Sequence, residues 1–281
     1  MQRILVTGAG GFMGARVMCQ WQGRAELLCL PAGFLARAAE AEVCAQVQAL
    51  APEIILHTAA ISDTGYCEAH PEESRRANVE LPLWLARAAR QSGAKLVCIS
   101  SDQVYAGVTQ PGPLPETLAL QPANVYGRHK LEAERRVLEL LPEAVFLRAS
   151  WMYDLPGYGL PVRGNLPLNL VRAALQGQAL AFSSREYRGV TYVRQAVELL
   201  APALALPGGV YNFGSENELD MVRTAQCFAD ALGVPLRLEK ADRQRNLSMD
   251  CAKLRRAGIC FDTTGQGIRR CLRDYGLPQG G

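Results

Sequence analysis

The chain has 281 residues, of which 49% are hydrophobic and 20% charged, and its formal net charge is +3. That is apolar material for one large core or two unequal ones in an ordinary globular protein. Its basic residues are scattered without interleaved aromatics, and no uncharged apolar stretch reaches the ~20 residues a bilayer demands, so neither nucleic acid nor membrane is an expected partner.

Arg3 to Thr7 reads as a buried parallel strand, and Gly8, Gly11 and Gly14 then punctuate the turn into an amphipathic helix near Phe12 to Gln22. Strand, glycine turn and helix in that order predict a dinucleotide cradle. Gly8 allows a sharp turn, Gly11 a close approach of backbone to a pyrophosphate, and Gly14 tight packing of helix on sheet. The helix N-terminus, opened by Phe12 and Met13, offers unpaired N–H groups to the anion. The spacing is GxxGxxG rather than GxGxxG, with Gly10 adding freedom, and a purely structural glycine loop is the plain alternative.

Alternation continues with a strand near Glu26 to Leu30, a helix near Ala38 to Leu50, a strand at Ile54 to Thr58 and a helix near Glu72 to Gln91. The strand Lys95 to Ile99 ends in Ser100-Ser101, and a helix carrying Tyr126 and the strand Ala144 to Arg148 follow. Strands separated by helices predict an α/β fold, a Rossmann-type doubly wound parallel sheet with ligands at the carboxyl ends of its strands, where Gly8, His57 and Ser101 fall. From Trp151 the rhythm changes to a Gly/Pro-rich loop (155–167), a helix near Leu168 to Leu175, and short elements ending in a helical tail from Gly267 to Asp274. The expectation is a dinucleotide-binding domain over 1–150 and a smaller substrate-binding domain over 151–281, some of whose elements can return to the first sheet.

Nine cysteines, an odd number without CxxC spacing, fit a reducing compartment, where several act as small hydrophobes inside apolar runs. Met1 leads straight into the first strand, leaving no room for a signal peptide, and a cytoplasmic location is expected. No HExxH or Cys/His ligand cluster occurs, and no metal ligand is assigned.

Tyr126 and Lys130, four apart on a helix, share one face, so the ammonium can lower the phenol's pKa while the Ser101 hydroxyl holds a substrate oxygen. Those are the parts needed to move a proton beside a hydride. Taken singly, the pair reads as an ordinary exposed couple on a charged helix, and Ser101 as a polar residue after a strand.

With the glycine turn, Ser101 and the YxxxK pair in that order, the chain resembles the extended short-chain dehydrogenase/reductase family. Further segments, Ser100 to Tyr105, Arg148 to Tyr153, Thr191 to Val193 and Arg245 to Leu254, look like landmarks of the dTDP-4-dehydrorhamnose reductases. The resemblance implies a nicotinamide cofactor, NADP or NAD, and a nucleotide-sugar substrate reduced at a 4-keto group. It implies Tyr126 as acid, Lys130 as ribose holder and tuner of the tyrosine, and Ser101 as binder of the keto oxygen. His57-Thr58-Ala59-Ala60 resembles a segment lining the cofactor groove, with Ser100 beside it, although His57 reads equally as a packed strand end. Asn78 matches a recurrent asparagine that supports the backbone near the active site.

Asp102 and Gln103 are assigned to the substrate. Related sugar dehydratases carry Asp-Glu here, and an amide cannot abstract a proton, so Gln103 argues against elimination; the reductases commonly carry Tyr at that position. Trp151 stands where the reductases place a tryptophan against the sugar, with a core tryptophan as the alternative. Among Arg185, Arg188, Arg243 and Arg245, the last, with Asn246, is favoured for the diphosphate or nucleotide. The second strand ends without the acidic residue that would bind the NAD ribose, which tilts the expectation to NADPH. Arg16 and Arg37 are candidates for its 2′-phosphate but read more simply as solvated helix residues. The short 32–37 stretch leaves the adenine side altered. A nucleotide-sugar epimerase and a noncatalytic regulatory subunit, like that of eukaryotic methionine adenosyltransferase, are the alternatives, and a homodimer is compatible with each.

Overall fold

The computed structural model describes residues 1–278; positions 279–281 of the expected second domain lie outside the described residues. Five strands, Arg3–Thr7 (β1), Glu26–Leu28 (β2), Ile54–His57 (β3), Lys95–Ser101 (β4) and Val145–Ala149 (β5), run parallel. The strand Gly209–Phe213 pairs in parallel outside β5, giving the order Gly209–Phe213, β5, β4, β3, β1, β2. β3 and β5 are buried along their whole length because helices cover both faces, which is why they read as nearly continuous apolar runs.

The helix Phe12–Gln20 (α1) and the helix Val193–Ala203 cover one face, through Met13, Val17, Val197 and Leu200. Helices Glu40–Leu50, Leu81–Ser92 and Val125–Leu140 cover the other, through Val43, Val47, Leu85, Ala89 and Val137. From β1 the chain runs out to β2 and returns to β3 on the opposite side of β1, with His57 opposite Thr7. The loops that follow β1 and β3 therefore diverge, and a crevice opens at the strands' carboxyl ends.

A smaller core holds the rest, built from Tyr153, Leu166, Leu170, Tyr192, Phe228 and Ile268. Three two-stranded parallel ribbons edge it: Trp151–Tyr153 with Val190–Tyr192, Leu180–Phe182 with Leu238–Lys240, and Glu186–Arg188 with Arg245–Leu247. The single helix expected over 72–91 is instead Pro71–Arg75, a π turn Arg76–Glu80, and Leu81–Ser92. The wider turn carries Asn78, which is buried and donates to the carbonyl of Ile61 at 2.9 Å and to Ser74 Oγ at 3.2 Å. No described helix is long and apolar enough to cross a membrane.

Candidate active site

A cleft of about 640 Å³ opens where the carboxyl ends of β1, β3, β4 and β5 meet the smaller core. Its floor on one side is the first turn and helix. Gly8 sits at φ 71°, and a Cβ there would lie 2.8 Å from the Ala59 backbone, while a Cβ on Gly14 would lie 2.1 Å from the Gly8 carbonyl oxygen. Only glycine fits either place. Gly11 caps α1 without a side-chain hydrogen bond, leaving first-turn N–H groups free beside the cleft, which Gly8, Gly11, Phe12, Met13, Thr58, Ala59 and Ala60 line. A dinucleotide's diphosphate fits this cradle. No residue from 26 to 37 lines the cleft, so the β2 side, where an adenosine ribose would lie, is outside it.

Tyr126 owes its position to two local devices. Asn124 Oδ1 accepts the Gly127 N–H at 2.7 Å, starting the helix one residue before Val125, and a Cβ on Gly127 would lie 2.2 Å from the Gln103 carbonyl oxygen. The helix can thus press against the turn after β4, bringing Tyr126 to Ser101. One turn on, Lys130 Nζ donates to the Ile99 carbonyl at 2.8 Å and lies 5.9 Å from the Tyr126 ring centre. Ser101 Oγ donates to Asp102 Oδ1 at 3.3 Å and accepts the Gln103 N–H at 3.2 Å. Ser100, Ser101, Tyr126 and Lys130 all line the cleft, and all are buried.

The expected lowering of the phenol's pKa by Lys130 is not what governs it. Burial pushes Tyr126 above the usual tyrosine range, and the forces opposing burial are a hydrogen bond with Ser101 and the charge of Arg163. The amine is committed to a backbone carbonyl and is itself brought down to about 8 by burial. A fully protonated phenol is the form a proton donor requires.

The opposite wall is ionic. Arg188 donates to Asp102 Oδ2 at 2.6 Å, and its guanidinium lies 5.0 Å from the Trp151 ring centre. Arg245 and Arg243 both pair with the buried carboxylate of Glu186. Arg188 and Arg245 both line the cleft, and the Nε atom of each is buried without a partner among the described residues. Gln103 Oε1 accepts from Asn124 Nδ2 at 3.0 Å and its amide nitrogen reaches Asp102 Oδ1 at 3.4 Å.

The structure corrects several expectations. His57 does not line the cleft: its Nδ1 lies 2.7 Å from Thr7 Oγ1 on the neighbouring strand, and burial, reinforced by Lys130, brings its pKa to about 3, holding it neutral. Asn246 faces away and donates to the carbonyls of Gln110 (2.8 Å) and Gly112 (2.7 Å), fastening that loop. Arg16 is neither solvated nor available to a 2′-phosphate, because it is 1% exposed and bonded to Asp154 at 2.6 Å, which was too distant in the sequence to anticipate. Arg37 is exposed and off the cleft, and Arg185 pairs with Asp242 at the surface. Arg188, one of the arginines not favoured over Arg245, is brought into the site, its signal being its place just before Thr191-Tyr192-Val193. Arg163, Ser62 and Thr64 also line the cleft, and no motif marks them.

A family model described as the RmlD substrate binding domain matches residues 1–276. A dTDP-4-dehydrorhamnose reductase of Aggregatibacter actinomycetemcomitans is 29% identical over 226 residues, 77% of this chain and 74% of its own length. Methionine adenosyltransferase 2 subunit beta of Xenopus laevis is 28% identical over 297 residues, 96% of this chain and 87% of its own. In structure, a dTDP-4-dehydrorhamnose reductase of Bacillus anthracis str. Ames in complex with NADP superposes with a TM-score of 0.86 at 22% identity, covering 98% of this chain and 99% of that one.

Proposed function

Since the chain belongs to the RmlD substrate binding domain family, we propose that it is an NAD(P)H-dependent reductase of a 4-keto nucleotide sugar, dTDP-4-dehydrorhamnose or a close analogue. The observation that carries this reading is the convergence of Ser101, Tyr126 and Lys130 with the glycine cradle on one cleft. Gly8, Gly11, Phe12 and Met13 would hold the dinucleotide's diphosphate, with Ala59, Ala60 and Ser100 along its path. When bound, a reduced nicotinamide supplies the hydride that the keto carbon takes up.

The chain's own work is to deliver a proton and hold the sugar. Ser101 Oγ donates to the keto oxygen and fixes it beside Tyr126, whose phenol gives that oxygen its proton. Lys130, positively charged below pH 8, favours the tyrosinate left behind. Trp151 offers a flat apolar face to the deoxysugar, and Arg188 and Arg245, which line the cleft, offer guanidinium N–H groups to the sugar nucleotide's diphosphate. The acidic pair a dehydratase uses is incomplete here, since Gln103 cannot take a proton.

The test is oxidation of NADPH or NADH by purified protein given dTDP-4-dehydrorhamnose. Turnover that Tyr126→Phe abolishes supports the reading, and no substrate-dependent oxidation refutes it. A second reading, a regulatory subunit of a larger assembly, is favoured by the longer match to methionine adenosyltransferase 2 subunit beta and by the absence of residues 26–37 from the cleft. Co-purification with a partner enzyme and no binding of either dinucleotide would support it.

A further inference from the structure

The segment 154–165, whose Pro161, Val162 and Arg163 line the cleft, is a strap whose two ends are pinned. At one end Asp154 bonds Arg16 at 2.6 Å and Tyr275 Oη at 2.9 Å, and Tyr275 also donates to the Leu155 carbonyl at 2.7 Å. At the other, buried Asn165 donates to the carbonyls of Asp154 (3.0 Å) and Arg163 (3.1 Å). Between them, Arg16 Nη1 holds the Pro161 carbonyl at 3.0 Å. The backbone at Arg163 is thereby placed by bonds that do not involve its side chain.

That side chain reaches across the mouth. Arg163 Nη1 donates to Ser62 Oγ at 2.6 Å, and the guanidinium lies 5.2 Å from the ring centre of Phe12, the first residue of α1. Arg16 stacks on the same ring at 4.2 Å, so Phe12 contacts both a buried cation paired with Asp154 and one with no carboxylate partner among the described residues. A guanidinium has five N–H donors in a planar fork. Arg163 spends one of them on a neutral hydroxyl, beside a helix start whose own N–H groups lack a side-chain cap.

We propose that Arg163 is a clasp for a diphosphate ester: held in place by the pinned strap, its fork exchanges Ser62 for the diphosphate oxygens of a ligand lying on α1's first turn. The ester is either the dinucleotide's or the sugar nucleotide's, since both carry the same group into one cleft. This inference rests on the reading of the cleft as a dinucleotide and nucleotide-sugar site.

Calorimetric titrations of the full chain with NADPH alone and with dTDP alone test it, using wild type, Arg163→Ala, Arg163→Lys and Ser62→Ala. Arg163→Ala is expected to weaken one ligand by about tenfold or more, and Arg163→Lys, which keeps the charge but not the fork, to recover part of that loss. Ser62→Ala should bind at least as tightly as wild type, because it frees the guanidinium; a mere latch would instead weaken with either partner removed. Ligand-free melting temperatures matching wild type exclude a folding defect. A loss confined to NADPH assigns the dinucleotide, and a loss confined to dTDP the sugar nucleotide; either sustains the clasp. If wild type binds NADPH and Arg163→Ala binds both ligands within about twofold of it, the clasp is overturned while the site stands. If wild type binds neither of these ligands nor NADH, the reading of the cleft falls first and the clasp with it.

Discussion

The two walls of the cleft are held in different ways. On the wall of Ser101 and Tyr126, the side chains hang from strand ends and from a helix start fixed by Asn124 and by the contact of Gly127 with the Gln103 carbonyl, which are backbone devices. On the facing wall, placement depends on charges far apart in sequence: Arg188 with Asp102 and Arg245 with Glu186. Backbone devices fix a reacting group to a fraction of an ångström, as proton transfer requires, whereas a lattice of ion pairs can be re-paired by an incoming anion. The first wall suits a fixed chemistry and the second a choice of ligand.

Breaking the first wall at its reacting atom has the largest expected effect. Tyr126→Phe removes the proposed proton donor and leaves the packing, so turnover should fall about 10²- to 10⁴-fold with NADPH affinity little changed; a variant retaining wild-type turnover would remove Tyr126 from the chemistry. In the ion pair that anchors the segment 154–165, Arg16→Met leaves the Asp154 carboxylate, 1% exposed, with only Tyr275 and a backbone N–H, and a loss of about 3–5 kcal/mol in urea unfolding is expected. An Arg16→Met/Asp154→Leu double variant should recover most of it.

Lys130 sharpens the contrast by pH. Burial holds its folded pKa near 8, below the ordinary 10.5, so between those values the unfolded chain binds the proton that the folded chain has released. Stability should therefore rise with pH across that window, while turnover falls above pH 8 as the charge beside Tyr126 is lost. Lys130→Met should flatten the stability rise, and identical urea midpoints for both proteins from pH 7 to 10 would contradict it. The smallest effect is expected at Arg243, whose side chain is 54% exposed and shares Glu186 with Arg245. Arg243→Ala should cost under about 1 kcal/mol, since solvent screens that pair and the carboxylate keeps its other partner.

The backbone-built wall was the legible one. Parallel strands show as apolar runs, the cradle as glycines between strand and helix, and Tyr126 and Lys130 as a one-turn spacing, because each depends on residues close together in the chain. What escaped depends on tertiary pairing. Nothing near Arg16 announces Asp154, nothing near Arg163 announces Ser62, and the π turn at 76–80 hides inside a helical period that it lengthens only locally. Asn246 and Arg245 are neighbours in one strand, yet period-two alternation sends the first to the Gln110 loop and the second to the cleft. The effect of Lys130 on the phenol was misjudged for a related reason: spacing places two side chains on one face but does not reveal how deeply both are buried.

The strand Gly209–Phe213 completes the edge of the main sheet, the helix Val193–Ala203 covers α1, and Tyr275 braces the strap that lines the cleft. Residues beyond 190 thus complete the sheet and core that residues 1–150 begin. Residues 1–150 taken alone would carry the glycine turn, Ser101, Tyr126 and Lys130 with one flank of their sheet bare, so excising the candidate site as a fragment would expose apolar surface.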